Sequence, residues 1–306
     1  MKIAARAAFA FAILALALCA PRLAAAQGCQ SAGETDDAPD PVTVPMGMRI
    51  GLALGSGSIH GLAHIGVLEV LEARGLAVSV VAGTSAGALV GGLWASGMNA
   101  AAIERLARTR RWEGVGRMSG SLEGFFTNEA LREELKPFFA GRPIEAWPRR
   151  FGAVATDISN GHRYVFMSGD GALAVQASSA VPLAYAPVKV DGMRLADGAL
   201  VEPVPVETAR ALGANWVIAV DVAYRPYEAP SGGLTGNAFQ SMHILINSLA
   251  ESQARGADFV IRLDLHHQMM QCGNEALIAA GRDAMRRAWP ALATAIRERA
   301  FELGAH

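Results

Sequence analysis

A run of apolar and β-branched residues, Val78 to Ala82, leads straight into Gly83-Thr84-Ser85-Ala86-Gly87, and a helix of small residues, Ala86 to Ser96, leaves on the far side. No other feature of the chain restricts its fold as much. A strand that turns sharply into a helix around one serine, with glycine two places to either side, folds the backbone against itself and leaves that serine at the apex. A similar unit lies just upstream: a short apolar run over Arg49 to Leu54, a glycine loop, then Leu62 to Arg74 with apolar residues at helical spacing, stopped by Gly75. Two successive strand–helix units predict parallel strands, and therefore a three-layer α/β/α fold with a mainly parallel central sheet.

The rest of the chain extends this pattern. Asn99 to Arg110 and Asn128 to Phe139 read as helices on either side of a glycine- and charge-rich loop, Arg111 to Gly124, that carries Trp112. Phe151 to Asp157 and Arg163 to Met167 read as a hairpin turning at Asn160-Gly161, and Val188 to Val190 with Met193 to Leu195 as a second one around Asp191-Gly192. Leu173 to Ala180 and Val204 to Leu212 read as helices, Trp216 to Val222 as a buried strand, Phe239 to Gln253 as a helix and Phe259 to Leu263 as a strand. The tail, Glu275 to Leu303, reads as a helix interrupted at Pro290. The 306 residues are 52% hydrophobic and 18% charged, ample for one buried core, and the 33 glycines favour closely packed helices.

The first 47 residues are set apart from that core. Lys2 and Arg6, the apolar run Ala7 to Leu18 and the small residues Ala24-Ala25-Ala26 have the layout of a secretory signal peptide, 1–26. The alternative is a retained membrane anchor, for which the apolar run is short. Residues 27–47, rich in Gly, Ser, Asp and Pro, read as a disordered linker, and 48–306 as one folded domain. The expectation is an exported protein, periplasmic or secreted. Cys29, after Ala26-Gln27-Gly28, offers lipidation as an alternative, although the usual Leu three places before the cysteine is missing. Cleavage removes Lys2, Arg6 and Arg22 and no acid, taking 27 basic residues to 24 against 28 acidic ones. A net negative surface has no general attraction for nucleic acid. Cys29 and Cys272 do not indicate a structural disulfide, since one sits in the tail.

A nucleophilic serine needs a base and a place for the oxyanion. Gly55-Ser56-Gly57-Ser58-Ile59-His60-Gly61 follows the first strand and opens a helix, so its backbone N–H groups are expected to point outward at the positive end of a helix dipole. A dinucleotide-binding turn is the rival reading. Its G-x-G-x-x-G spacing is missed by one residue, and the second strand ends in Gly83-Thr84 where the acid for a ribose would stand. Asp197-Gly198-Ala199 is either a turn or the source of the base.

Taken together, three segments resemble the patatin-like phospholipase family in its bacterial form: Leu54 to Leu68, which is similar to the glycine-rich oxyanion loop and its helix; Gly83 to Gly87, the nucleophile elbow; and Asp197-Gly198-Ala199, the aspartate motif. Ala177 to Pro182 and Val201 to Val206 look like the flanks of these motifs. The resemblance covers roughly Arg49 to Val222 and implies a patatin-like fold. It also implies a serine-dependent acyl hydrolase of the phospholipase A, lysophospholipase or esterase type, with Ser85 as nucleophile, Asp197 as base and no histidine. Gly55, Ser56, Gly57 and Ser58 would form the oxyanion loop, supported by His60, Gly61, Gly83, Gly87 and Gly198. The implied partner is an acyl lipid, with peripheral membrane contact; no cofactor and no metal are implied. The chain departs from the family pattern at Ser56 and Ser58, where glycine is usual, at His60, where Arg or Lys is usual, and at Glu202, where Asn is frequent.

Other readings compete with this one. A Ser–Asp–His triad would use His243 or His266. A catalytically silent lipid-binding or scaffold protein on the same fold would use neither. His64 is expected as a core or helix-surface residue. His266 and His267 are adjacent and so point to opposite faces of a strand, which disfavours a metal site. Phe239, Met242, Ile246 and Leu249 share one helix face, which serves as core or as a lipid contact. Met269 and Met270, in an expected loop, are further candidates for lipid contact. A lid is expected around Trp112 and Phe125-Phe126.

Overall fold

The structure is a computed structural model that describes residues 42–109, 117–118, 124, 126–139, 141–223, 233–263, 265 and 273–304. These belong to one compact unit, Ser31–His306. The expected signal peptide, Cys29, Trp112 and Phe125 of the expected lid, His266, His267, Met269, Met270 and Cys272 lie outside the described residues.

Strand β1 (Ile50–Leu54) is buried at every position and pairs in parallel with β2 (Val80–Thr84) on one side and β9 (Trp216–Asp221) on the other. β10 (Phe259–Arg262) extends the parallel array beyond β9, and β5 (Arg150–Asp157) extends it beyond β2. The expected hairpins then add antiparallel strands: β6 (His162–Phe166) on β5, and β7 (Val188–Val190) on β8 (Met193–Asp197), which itself pairs antiparallel with β5. Asp191 and Gly192 both take positive φ, 49° and 80°, as a tight two-residue hairpin turn requires. The result is an eight-stranded, mixed and mostly parallel sheet among the described residues. A separate two-strand ladder joins β3 (Arg117–Met118) to β4 (Phe126–Thr127).

Alternation along the strands builds two unequal cores. Ile50, Leu52, Leu54, Val81, Ile218 and Val220 face one side, where helices α1 (Ala63–Ala73), α2 (Ala86–Ala95), α3 (Ala100–Thr109), α4 (Glu129–Phe139), α5 (Gly171–Ser178) and α8 (Asn274–Glu302) contribute to the main apolar cluster. Ala53, Val80, Ala82, Val217 and Ala219 face the other side and meet α6 (Val206–Ala211) and α7 (Gly233–Ala254). These are the expected three layers, with bulky side chains beneath one helix layer and small ones beneath the other.

Two expectations need correction. The tail helix does not break at Pro290 but runs through it as α8. Pro290 is exposed, so the carbonyl that its ring deprives of an amide partner lies toward water, while Trp289, Leu292, Ala293 and Ile296 beside it are buried and hold both halves of the helix to the core. The expected linker also ends earlier than residue 47. Val42 is buried in the main core together with Met48, and Val44 packs against it, because apolar β-branched side chains gain from burial whatever the composition around them.

Candidate active site

The serine elbow is built as its residue types require. Ser85 takes φ 55° and ψ −119°, a region that a side chain disfavours by roughly 1–3 kcal/mol and that persists only where surrounding structure imposes it. Gly83 and Gly87 permit the fold-back. A Cβ on Gly83 would lie 2.5 Å from the Gly87 carbonyl oxygen, and one on Gly87 would lie 2.7 Å from the Gly55 carbonyl oxygen. Gly61 and Gly198 are pressed as closely, against Ala86 and the Val154 carbonyl. All the glycines expected to support the site therefore sit where a side chain has no room.

Asp197 reaches Ser85 through β5. Strand β2 pairs with β5 up to Thr84↔Val154, and β8 pairs with it from Ala155↔Asp197. Because β6 lies alongside residues 153–157, both β2 and β8 must occupy the opposite edge of β5, end to end. Thr84 and Asp197 are thereby placed at successive positions of one strand edge, which brings Ser85, 112 positions before Asp197 in sequence, beside it. Ser85 Oγ donates to Asp197 Oδ2 at 2.7 Å, and the Ala199 amide donates to Asp197 Oδ1 at 2.8 Å. Both side chains are buried. Burial pushes the Asp197 carboxyl from its ordinary 3.8 up to about 6, against the opposing pull of the Ala199 amide and the Ser85 hydroxyl.

Three residues with no role assigned from sequence hold this pair. The Ser85 amide donates to Ser178 Oγ at 2.9 Å, Thr84 Oγ1 donates to the Glu202 carbonyl at 2.7 Å, and Thr156 Oγ1 donates to the Asp197 carbonyl at 2.8 Å. Ser178 lies in the Ala177 to Pro182 segment already singled out as a motif flank, which was a signal of place without a role. Thr84 read only as an unassigned position of the elbow, and Thr156 only as a strand residue.

In the glycine loop, two of the four residues expected to face an oxyanion have their amides already bonded. The Gly55 amide is bonded to the Val220 carbonyl of β9 at 3.0 Å and the Ser56 amide to the Pro203 carbonyl at 2.8 Å, so one fastens the loop to the sheet and the other to the segment that follows the aspartate turn. The Gly57 and Ser58 amides have no acceptor among the described residues. Ser58, at φ 50°, occupies the left-handed region that favours the glycine usual in the resembled family. A Cβ on Gly57 would stand 2.6 Å from the Val222 carbonyl oxygen.

Behind the loop, His64 is a core residue, as expected. Its Nε2 lies 2.8 Å from the Gly55 carbonyl oxygen. Desolvation lowers its pKa to about 4, so the ring is neutral near pH 7 and Nε2–H is the donor. His60 is also buried, 1% exposed, and does not line the cavity at Ser85. His243 does line it, but Ser85 Oγ bonds Asp197 Oδ2 directly at 2.7 Å, with no imidazole between serine and aspartate.

The cavity has a volume of about 290 Å³ and contains Gly57, Ser58, Ser85 and Asp197 in its wall. Its apolar side comes from Val181, Pro182 and the α7 residues Phe239, Met242 and Ile246. The helix stripe that allowed either core or lipid contact therefore faces the site, apart from Leu249, which does not line it. Phe126, from the expected lid, is 39% exposed and forms a bridge with Tyr185 of the cavity wall. The recess thus joins a hydroxyl hydrogen-bonded to a desolvated carboxylate with two amides that have no acceptor among the described residues.

Residues 52–210 match the family described as patatin-like phospholipase. An uncharacterized NTE family protein of Mycobacterium tuberculosis is 36% identical over 177 residues, 57% of this chain and 49% of that protein. Lysophospholipase NTE1 of Scheffersomyces stipitis is 28% identical over 204 residues, 65% of this chain and 13% of that protein. The chain thus spans at most about half the length of these curated relatives. Among solved structures, VipD from Legionella pneumophila is similar at a TM-score of 0.45 and 15% identity, covering 79% of this chain and 66% of that one.

Proposed function

Because the chain belongs to the patatin-like phospholipase family, we propose that it is a serine-dependent lipid acyl hydrolase working through the pair Ser85 and Asp197. The 2.7 Å bond from Ser85 Oγ to Asp197 Oδ2 carries this reading. Ser85 attacks the ester carbonyl carbon while its proton passes to Asp197 Oδ2. The carbonyl oxygen, now negative, accepts from the Gly57 and Ser58 amides. The tetrahedral adduct collapses, the proton on Asp197 leaves with the departing alcohol, and an acyl-enzyme remains. A water molecule then gives a proton to Asp197 as its oxygen attacks the acyl carbon, and collapse of this second adduct breaks the bond to Ser85 Oγ, which takes the proton back from Asp197 Oδ2 as the fatty acid leaves. A pKa near 6 suits this double duty, since the carboxylate is ionised at neutral pH yet far more basic than an exposed aspartate.

Labelling with a serine-directed fluorophosphonate, alongside hydrolysis of a panel of acyl esters, tests the reading. Wild-type protein is expected to label and to release fatty acid, and Ser85→Ala to do neither. Labelling that persists in Ser85→Ala, or hydrolysis that survives it, removes Ser85 as the nucleophile. A folded wild-type protein that neither labels nor hydrolyses any ester supports the silent lipid-binding alternative.

The substrate side of the proposal extends to a lipid surface. While α7 turns Phe239, Met242 and Ile246 to the cavity, it exposes Leu234 (89%) and Leu245 (72%) three turns apart on its outer side. From Gly233 to Ala250 the helix carries no Asp, Glu, Lys or Arg. An outer face with leucines and no formal charge fits the interface of a lipid aggregate and gives no electrostatic preference for anionic lipid. Leu234→Ser with Leu245→Ser is expected to slow hydrolysis of vesicle-borne phospholipid about tenfold, independently of salt, and to leave hydrolysis of a monomeric short-chain ester unchanged. Equal losses on both substrates contradict surface docking. Export, with removal of residues 1–26, belongs to the same proposal, and intact-mass measurement of protein recovered from the native host tests it.

A further inference from the structure

We infer that Glu202 is a positioning residue for the nucleophile and for the loop that receives the oxyanion, an inference that rests on Ser85 being the nucleophile. The Glu202 side chain is only 2% exposed, and a buried carboxylate is tolerated only where donors and an opposite charge meet it. Arg163 Nη1 of β6 donates to Oε2 at 2.9 Å, the Thr208 amide of α6 donates to Oε1 at 2.9 Å, and the Thr208 hydroxyl donates to Oε2. The carboxylate is thereby fixed from two directions, by a strand of the sheet and by the first turn of a helix.

What that anchorage holds still is the backbone of Glu202 and Pro203. The Glu202 carbonyl accepts from Thr84 Oγ1 at 2.7 Å, one residue before the nucleophile. The Glu202 amide donates to the Gly198 carbonyl at 2.8 Å, one residue after the base. The Pro203 carbonyl accepts from the Ser56 amide at 2.8 Å, next to the Gly57 amide, which has no acceptor among the described residues. Two consecutive residues thus contact the elbow, the aspartate turn and the oxyanion loop, three segments otherwise remote in sequence. Ser85 has a backbone that relaxes unless restrained, and a shift of Oγ by a fraction of an ångström spoils both the proton transfer and the alignment with the loop amides.

A purely structural role is the contrasting account: Glu202 accepts from the first turn of α6 as any helix-capping acid does. The two accounts differ in what they move. Loss of a cap lowers stability and leaves turnover by the folded protein intact. Loss of positioning lowers kcat and the rate of covalent labelling at Ser85 in the folded protein, with KM little changed because the apolar cavity is untouched.

The experiment uses the full chain with Glu202→Gln, Arg163→Gln, the double variant, and Thr84→Val, which keeps shape and removes the hydroxyl bonded to the Glu202 carbonyl. Expected results are a fall in kcat of about ten- to a hundredfold in each single variant, a parallel fall in the fluorophosphonate labelling rate, KM within about threefold of wild type, and a double variant no worse than the poorer of the Gln single variants because the two residues act as one unit. Wild-type kcat in Glu202→Gln with only a lower melting temperature overturns the inference and leaves the capping role. Should Glu202→Gln not fold, wild-type kcat in Thr84→Val overturns it equally. Ser85→Ala run in parallel separates the questions: if it retains labelling, the nucleophile assignment fails first, and if it is dead while Glu202→Gln and Thr84→Val are fully active, only this inference fails.

Discussion

Asp197→Asn is expected to lower kcat by about 10²- to 10⁴-fold, the usual contribution of a positioned base, and at the same time to make the protein more stable at neutral pH. The asparagine has the same shape. Its carbonyl oxygen can accept from the Ala199 amide as Oδ1 does now, and its amide can donate to Ser85 Oγ, so neither buried polar group is stranded. What disappears is a buried charge. The carboxyl titrates near 6 when folded against an ordinary 3.8, because burial disfavours the ionised form. Between those values the folded chain binds more protons than the unfolded one, so this group's contribution to stability is fully present below about pH 4 and is lost as pH rises through about 6. Two pK units correspond to a cost on the order of 3 kcal/mol above pH 6. Denaturant unfolding at pH 4 and pH 7.5 measures this. The variant is expected to gain over wild type at pH 7.5 by up to about that amount and by little at pH 4. For the wild type, kcat/KM is expected to rise to a plateau through about pH 6. Full turnover in the Asn variant contradicts the mechanism, and an equal stability difference at both pH values contradicts the desolvated state of Asp197.

Gly281→Val is expected to be among the most destabilising single substitutions in the domain. Helices α1 and α8 meet backbone to backbone at Gly66 and Gly281. A Cβ at position 281 would fall on the Ala63 carbonyl and stand 2.9 Å from Ala63 Cα, and one at position 66 would stand 2.5 Å from the Arg282 amide nitrogen. The obstacle is backbone on both sides, so no side-chain rotation relieves it. Beside the crossing, Arg282 Nη2 pairs with Glu69 Oε2 at 2.6 Å, which keeps the helices from sliding apart to make room. Overpacking of this kind costs about 3 kcal/mol or more where neighbours cannot move. The effect should reach the site, because Ala63 opens α1 directly after the turn Ser58–Leu62 that continues the glycine loop. A lower urea midpoint with an unchanged m-value, together with reduced fluorophosphonate labelling, is the expected result. An unchanged midpoint would mean that the helices can separate without loss.

Much of this was legible in the sequence because the signals involved are local. The GTSAG elbow between a β-branched run and a helix of small residues names its own geometry, since only a turn needing glycine at 83 and 87 explains that spacing, and the structure shows backbone where those side chains would be. The Asn160-Gly161 and Asp191-Gly192 hairpins were legible for the same reason, and Asp191 and Gly192 indeed carry positive φ. Pro290 misled because a breaker signal does not say whether a helix turns its proline to water or to the core, and here Trp289 and Leu292 decide by being buried. The glycine loop misled in part because its amides read as free. Gly55 and Ser56 lost theirs to Val220 and Pro203, carbonyls nearly 150 or more residues away in the chain.

By itself, then, the sequence determined the order of strands and helices apart from the short β3–β4 ladder, which falls in and beside the expected loop, and it determined the serine at the elbow and the small residues that allow it, consequences of backbone sterics over a few neighbouring positions. The aspartate motif had already singled out Asp197, but only the tertiary structure decided how its carboxylate reaches that serine. The pairing of Thr84 with Val154 and of Asp197 with Ala155 along one edge of β5 brings the two together, and a strand register is a property of non-local hydrogen bonding that no short segment encodes.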